Sequence, residues 1–170
     1  MNDAGQPEPL AAGKAFLILL VVVAAIAAYI GVNMALGIEA FYTGFGLWLY
    51  FGAFKQGDPR ELPAATIGAL GGILTAALLR ILPEQLGLPG IIAIALLILT
   101  AIYLNIAGRL SMIFNNAYML MLLIATIPAL QAEGQFLGMA ASILVAAAFA
   151  GAALLLAGLM ASRKAATEEH

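Results

Sequence analysis

Residues 15–37 read AFLILLVVVAAIAAYIGVNMALG, an uncharged and strongly apolar stretch that begins directly after Lys14. About 20 apolar residues in an α-helix cross the ~30 Å hydrocarbon layer of a membrane. The stretch is longer than the apolar part of a signal peptide, and Asp3 and Glu8 precede it where a signal peptide carries basic residues. We therefore predict a retained transmembrane helix here.

The composition extends this prediction to the whole chain. Of 170 residues, 64% are hydrophobic and 9% are charged, whereas soluble domains are about half apolar and about a quarter charged. Runs such as 17–23 and 146–152 do not alternate between apolar and polar residues, as the strands of a membrane β-barrel would. The sequence therefore predicts an all-α integral membrane protein whose surroundings are the lipid bilayer.

Glycine, proline and charged residues divide the chain into segments. The predicted spans are 15–37, 40–54, 62–79, 90–108, 110–130 and 136–162. Together they predict a six-helix transmembrane domain over 14–162, between flexible cytoplasmic tails at 1–13 and 163–170. The second segment is short, and its sequence leaves open whether it crosses the membrane completely.

Basic residues predict the orientation, because Lys and Arg accumulate in the cytoplasmic loops of membrane proteins. One side of the predicted bundle carries only Arg80. The other side carries Lys14, Lys55, Arg60, Arg109, Arg163 and Lys164. Since this requires an even number of crossings, we expect both ends of the chain to lie in the cytoplasm.

Several function classes lack the residues that they need. The chain has no cysteine, its one histidine is His170, and no Asp, Glu, Lys, Arg or His lies in the interior of a predicted span. Catalysis at membrane depth normally needs such residues placed together, or a metal. A net charge of −2 also gives no electrostatic basis for nucleic-acid binding. We expect no enzyme activity, no metal, no cofactor and no nucleic-acid partner.

Neutral polar residues remain inside the predicted spans, and two interpretations of them are open. Each can hydrogen-bond a neighbouring helix, which in membranes is worth about 0.6 kcal/mol on average, or line a polar solute pathway. The adjacent pair Asn115–Asn116 is the clearest case, because adjacent helical side chains point about 100° apart and one wall cannot hide both. The residues proposed for a pathway are Asn33, Thr43, Phe45, Trp48, Asn105, Asn115 and Asn116.

Two stripes of side chains have helical spacing. Phe41, Phe45 and Trp48 form an aromatic stripe on the second span, which either lines a path for a small solute or packs against a neighbour. The third span carries a stripe of small residues, which lets helix backbones approach closely. This stripe consists of Ala64, Gly68, Gly72 and Ala76. It predicts tight helix packing, within one subunit or between subunits.

A faint internal repeat relates residues 14–83 to residues 86–160 at a shift of about 72–73. Asn33 then corresponds to Asn105, and Thr43 corresponds to Asn116. A unit of three spans that occurs twice must be inverted in the membrane, which is common in transporters and channels. In apolar sequence such matches also arise by chance, so the 3+3 inverted repeat is one of two interpretations.

Two short motifs carry a resemblance to known proteins. The run 44–50, GFGLWLY, and the run 67–72, IGALGG, are followed by a long stretch with few charges up to Arg109. Over roughly residues 38–160 the chain resembles small uncharacterised six-helix proteins of the bacterial inner membrane. It is more distantly similar to the membrane half of fusaric-acid-resistance-type exporters, although it lacks the soluble domain of such exporters. The resemblance implies a bacterial inner-membrane location and transport.

Taken together, the sequence predicts a channel or transporter for a small neutral or weakly polar solute, assembled as a homo-oligomer. The alternative is a subunit that transports nothing itself, an accessory or substrate-binding membrane subunit of a larger complex. The channel hypothesis rests on the charge-free interior, the neutral Asn and Thr residues, the aromatic second span and the inverted repeat. The accessory-subunit hypothesis rests on the small size of the chain, on the expected absence of soluble domains and on the small-residue stripes, which suit tight docking. A self-contained oligomer favours the first, and dependence on a partner for folding favours the second.

Overall fold

The computed structural model describes residues 11–168, and these residues form helices and no strand. Residues 1–10, which make up most of the predicted N-terminal tail, and residues 169–170, including His170, lie outside the described residues. The helices are α1 (Ala12–Ala35), α2 (Tyr42–Leu49, continued by a π-helical turn, Tyr50–Phe54), α3 (Leu62–Leu86), α4 (Leu88–Ile106), α5 (Asn116–Ala125), α6 (Pro128–Glu133) and α7 (Phe136–Glu168).

Four of the described helices are long and apolar enough to cross a membrane: α1, α3, α4 and the part of α7 up to Met160. This indicates a multi-pass membrane protein. The second and fifth predicted spans form the shorter helices α2 and α5. Helix α7 continues to Glu168, so residues 163–168 of the predicted C-terminal tail are helical.

The centre of the bundle is formed by α2, α3, α5 and α7. Helix α3 packs against α4, α5 and α7, while α2 packs mainly against α7. Large apolar side chains from all four central helices meet there, and each is at most 2% exposed. They are Leu47, Ile73, Tyr118, Met121, Met139 and Ile143. Helix α1 packs mainly against α7, and α4 packs mainly against α3.

The small-residue stripe of α3 lets α5 approach at backbone distance. A Cβ atom added at Gly72 would overlap the backbone oxygen of Tyr118, and one added at Gly68 would overlap the side chain of Asn115. The carbonyls of Ala64 and Ala76 accept hydrogen bonds from side chains of the 115–131 segment. The stripe therefore packs within one chain.

The predicted break at 80–89 is almost absent. Helix α3 continues to Leu86 and α4 begins at Leu88, so Gly87 alone joins them, with a φ of +61°. The prediction of a long break was wrong because Pro83 costs α3 one backbone hydrogen bond without ending it. The turn is so tight that a Cβ at Gly90 would overlap the carbonyl of Leu82.

The fifth predicted span is also interrupted, at both ends. Residues 107–115 form turns instead of helix, and Asn115 caps the N-terminus of α5. At the other end Ile127 is extended (ψ 126°), because the ring of the following Pro128 disfavours helical geometry for the residue before it. Asn115 and Asn116 therefore lie at the start of a helix, and the prediction of a continuous helix over 110–130 that contains them was wrong.

The interruption after α5 leaves no carbonyl of its last turn unpaired. The last four carbonyls of a helix have no partner within it; here they belong to Leu122, Leu123, Ile124 and Ala125. The amide and hydroxyl of Thr126 donate to the first two, and the amide of Ile127 donates to the third. The side-chain amide of Gln131 donates to the fourth at 2.9 Å. This pairing satisfies the end of α5 with hydrogen bonds from the chain itself.

Candidate functional site

Polar side chains gather at the two opposite ends of α2. We call the loop regions 55–61 and 111–115 the Lys55 end, and the regions 37–41 and 131–135 the Glu39 end. Each end has a pocket, and the apolar centre of the bundle lies between them.

The pocket at the Lys55 end has a volume of about 240 Å³. It is lined by Tyr50, Lys55, Arg60, Glu61, Ala64, Ala65, Ser111, Met112 and Asn115. Its floor is the buried ring of Tyr50, while Arg60 and Ser111 are exposed at its rim. The lining therefore combines hydroxyl, amide and charged groups around a volume that suits a small molecule.

An ion pair fixes one wall of this pocket. The Lys55 ammonium lies 2.9 Å from the Glu61 carboxylate. The hydrogen bond to Glu61 raises the pKa of Lys55 above its ordinary value, so the lysine stays charged throughout neutral pH. Since the folded-state pKa is raised, the contribution of the pair to stability is lost only as the pH rises through that raised value. At neutral pH this wall of the pocket therefore carries an ion pair with no net charge.

Asn115 joins the pocket to the helix packing. Its side-chain oxygen accepts hydrogen bonds from the amides of Ala117 and Tyr118, which is N-capping of α5. Its side-chain nitrogen donates to the carbonyl of Ala64 at 2.8 Å and to the carbonyl of Ser111 at 2.9 Å. Asn115 therefore positions α5 against α3, and its side chain also borders the pocket.

The pocket at the Glu39 end has a volume of about 370 Å³ and is more open. It is lined by Met34, Gly37, Ile38, Glu39 and Phe41. Across the same end, the side-chain amide of Gln135 donates to the Glu39 carboxylate at 3.0 Å. This contact connects the start of α7 to the loop between α1 and α2.

A buried polar cluster lies where α1, α2 and α7 meet, next to the Glu39 end. The Tyr29 hydroxyl donates to the carbonyl of Phe41 at 2.7 Å and lies 2.6 Å from the Ser142 hydroxyl. The Ser142 oxygen accepts the amide of Gly44, and a Cβ at Gly44 would overlap the Tyr29 hydroxyl. The Thr43 hydroxyl donates to the carbonyl of Met139 at 2.9 Å. Every side-chain hydroxyl of this cluster is bonded and fully buried.

The remaining predicted pathway residues lie in separate places. Asn105 and Asn116 share a hydrogen bond of 3.3 Å, and Asn116 is exposed. Trp48 donates its indole N–H to the carbonyl of Ala146 at 2.8 Å, and the ring of Phe45 packs edge-on against it. Asn33 is fully buried, and its side-chain oxygen has no hydrogen-bond donor among the described residues. The predicted pathway residues are thus divided among the Lys55 end, the Glu39 end and the aromatic stripe of α2. Their side chains do not converge on one cavity.

Sequence reasoning missed several polar groups of these sites. Tyr29 and Tyr118 both place their hydroxyls against a hydroxyl of another helix, Ser142 and Thr75, at 2.6 Å in each case. The sequence did contain a signal for these bonds. A tyrosine in the middle of an apolar segment needs a hydrogen-bond partner for its hydroxyl, because no water reaches it there. The charges of the loop 55–61 were used in the sequence analysis only to predict the orientation in the membrane. In the structure three of its charged residues line a pocket.

Comparisons with protein families, with characterised proteins and with solved structures found no match to this chain.

Proposed function

We propose that this protein is a membrane transport protein for a small neutral or weakly polar solute, which passes between the Lys55 end and the Glu39 end. In this proposal α2 and α5 also cross the membrane, giving six spans with both chain ends in the cytoplasm of a bacterial inner membrane. The Lys55 end is then the cytoplasmic mouth, and homo-oligomers form through the lipid-facing helices.

The observation that carries the proposal is a symmetry in the helix contacts. When each helix of the first half is replaced by its counterpart in the second half, and the reverse, the same pairs of helices are in contact. The halves are α1–α2–α3 and α4–α5–α7. Helix α2 packs on α7 and α5 packs on α3, so each short helix lies against the last helix of the other half. Likewise α1 packs on α7, and α4 packs on α3. Exchanged halves of this kind support an inverted repeat, an architecture of transporters and channels.

Local contacts also follow this exchange. At the start of α2, the Thr43 hydroxyl donates to the carbonyl of Met139 in the first turn of α7. At the start of α5, the Asn115 side chain donates to the carbonyl of Ala64 in the first turn of α3. Each bond joins the start of a short helix to the first turn of the last helix of the other half, which supports a repeat with its two halves interlocked.

The ends of α1 and α4 correspond in the same way. Gly37 follows α1 with a φ of +68°, and Gly108 follows α4 with a φ of +64°. In both cases the amide after the glycine donates to the carbonyl five residues earlier, at 2.8 Å and 3.0 Å. This is the Schellman pattern of helix termination. Both first helices of the proposed halves therefore end with the same turn.

The solute class follows from the groups along the proposed path. The buried polar side chains between the two pockets are neutral, whereas the charged residues Arg60 and Glu39 lie exposed at the two mouths. A charged solute would lose its hydration in the neutral centre without gaining a partner, which is costly inside a protein. The packed centre is closed, so transport requires α2 and α5 to separate where Gly46 lies against Met121.

The second candidate function is an accessory membrane subunit without transport activity. One observation favours it: residues 16–23 of α1 all have side chains between 46% and 69% exposed within the chain. Such a helix is free to dock against another membrane subunit. Lipid covers the same face equally well, so this observation has less weight than the exchange of the halves.

The test is solute flux into proteoliposomes, measured by stopped-flow light scattering with a panel of small neutral solutes. Ser111→Phe places a bulky ring at the rim of the Lys55-end pocket while the backbone carbonyl that Asn115 uses stays in place. We expect this variant to lose most of the wild-type flux. Ser162→Phe is the matched control, because Ser162 is exposed on α7 and bonds only its own helix. It should transport like the wild type.

Flux of every solute at the level of empty vesicles, from folded wild-type protein, would remove transport as the function. Equal flux through both variants would place the path away from the Lys55-end pocket.

A further inference from the structure

The pocket at the Lys55 end has more hydrogen-bond donors to offer a ligand than acceptors. Asn115 has no capacity left, because its side-chain nitrogen donates two hydrogen bonds and its side-chain oxygen accepts two. The carboxylate of the lining, that of Glu61, is paired with Lys55. The remaining polar groups are hydroxyl, guanidinium and ammonium groups, which belong to Tyr50, Ser111, Arg60 and Lys55. This lining suits a ligand that accepts hydrogen bonds.

The buried hydroxyl of Tyr50 also points to a ligand with an acceptor oxygen. The Tyr50 side chain lines the pocket and is 4% exposed. The polar groups beside its hydroxyl are the Lys55 ammonium and the amide of Ala117, which are both donors. Among the residues that the structure describes, the tyrosine hydroxyls with an oxygen partner are those of Tyr29 and Tyr118. A buried tyrosine usually finds a hydrogen-bond partner, and an oxygen of a bound ligand would accept the proton of Tyr50.

The lining of the pocket has an excess of positive charge. Two cations, Lys55 and Arg60, lie with one carboxylate, that of Glu61. Neither ion pair of the described residues includes Arg60. The N-terminus of α3 adds to this excess, since no side chain caps it and Ala64 in its first turn lines the pocket. Helix N-termini favour negative charge, so the pocket favours an anion with a single charge.

The lining also has an apolar part, which consists of Ala64, Ala65 and Met112. The volume of about 240 Å³ is below the ~300–1,000 Å³ that is typical of sites for drug-sized ligands. The pocket therefore suits a small molecule that has an apolar group as well as an anionic one.

We propose that the Lys55-end pocket binds a short-chain monocarboxylate. Its carboxylate accepts hydrogen bonds from the Tyr50 hydroxyl and the Arg60 guanidinium, and its short alkyl chain contacts the apolar part of the lining. Hydrogen bonds to a charged group are stronger than those between neutral groups. The binding does not depend on the transport proposal, because a carboxylate bound here occupies the proposed mouth without entering the neutral centre.

The test measures binding of propionate to the purified full chain in detergent, by saturation-transfer difference NMR. Propionamide is the neutral probe, since it has nearly the same shape and keeps a carbonyl oxygen. The folded wild type should bind propionate at least roughly tenfold more tightly than propionamide, because hydrogen bonds to a charged group contribute more. No solute flux is measured, so a negative result here leaves the transport test unaffected.

Tyr50→Phe removes the hydroxyl and keeps the buried ring. It should weaken propionate binding roughly tenfold, as expected for one hydrogen bond to a charged group, while the melting temperature stays near that of the wild type. Tyr42→Phe is the matched control. The Tyr42 hydroxyl is also buried without a partner among the described residues, and Tyr42 lies at the other end of α2. This variant should bind propionate like the wild type.

Arg60→Gln removes the cation that has no carboxylate partner. It should abolish the preference for propionate over propionamide. Arg109→Gln makes the same change at another exposed arginine, which lies in the turns after α4 and outside the pocket lining. It should keep the preference of the wild type.

Equal binding of propionate and propionamide by the folded wild type, or no binding of propionate, would overturn the proposal. So would unchanged propionate binding by both Tyr50→Phe and Arg60→Gln. Displacement of propionate by inorganic phosphate at a lower concentration than by acetate would also overturn it, because the natural ligand would then be a phosphate, such as a lipid headgroup.

Discussion

Gly72→Leu is expected to prevent α5 from packing on α3 and to leave most of the protein unfolded in detergent. A Cβ at this position would overlap the backbone oxygen of Tyr118 and lie 2.8 Å from the backbone nitrogen of Leu122. Both atoms belong to the backbone of α5, so no side-chain rotation relieves the clash and the whole helix must move. Overpacking a core costs about 1–3 kcal/mol and more where backbone must shift. Moving α5 also breaks the hydrogen bonds of Asn115 and Gln131 to α3.

Size-exclusion chromatography and thermal melting in detergent measure this effect. Gly31→Leu provides the control, because it adds the same side chain to a helix where no atom of the described chain lies within 4 Å of the Cβ position. It should melt within a few degrees of the wild type. If Gly72→Leu were as stable as the wild type, the close contact between α3 and α5 would not exist.

Gln131→Leu is expected to give the second largest loss of stability. The Gln131 side-chain amide donates to the carbonyl of Ala125 at 2.9 Å and to the carbonyl of Ala76 at 3.1 Å. Leucine removes both bonds and leaves the Ala125 carbonyl at the end of α5 without a donor. An unpaired buried polar group costs about 1–3 kcal/mol. The bond from Arg80 to the backbone carbonyl of Gln131 stays in place, so the loss reflects the side-chain amide alone.

Gln135→Leu makes the same chemical change four residues later. Gln135 bonds the exposed carboxylate of Glu39, which water solvates when the amide is removed. Its melting temperature should stay near that of the wild type, while that of Gln131→Leu falls clearly below it. Equal melting of the two variants would contradict the role of Gln131 in ending α5.

Apolar length and charge placement are sufficient to predict the helical membrane class and the approximate position of each long helix. The start of α7 at Phe136 and the turn at Gly37 agree with the prediction. Apolar length and charge placement do not predict whether a helix ends at a proline. Pro83, in a predicted break, lies within α3, whereas Pro128, near the end of a predicted continuous span, follows a real interruption. Whether a proline ends a helix depends on tertiary partners for the freed carbonyls, such as Gln131, which sequence does not reveal.

The candidate site is less predictable than the fold. Asn115 and Asn116 stand out correctly as unusual residues in an apolar stretch, but periodicity places them inside a helix. The structure uses Asn115 as a cap, and this requires the turns at 107–115 that follow from Gly108 and from the positive φ of Leu110. The pairing of Tyr29 with Ser142 joins residues 113 positions apart. A single sequence carries no signal for a contact at that separation.

A reversible cross-link between α2 and α5 tests most directly whether solute passes through the centre of the bundle. The chain contains no cysteine, so the double variant Gly46→Cys, Met121→Cys introduces a defined pair at the contact between the Met121 side chain and Gly46. Because a methionine side chain spans this gap, a short bis-methanethiosulfonate reagent bridges the two thiols through disulfides that reduction cleaves. Solute flux is measured in one vesicle preparation before cross-linking, after cross-linking and after reduction, with mass spectrometry to verify the bridge. Our account predicts flux before cross-linking, loss of flux to the level of empty vesicles in the cross-linked protein, and recovery on reduction. Unchanged flux through verified cross-linked protein would contradict it.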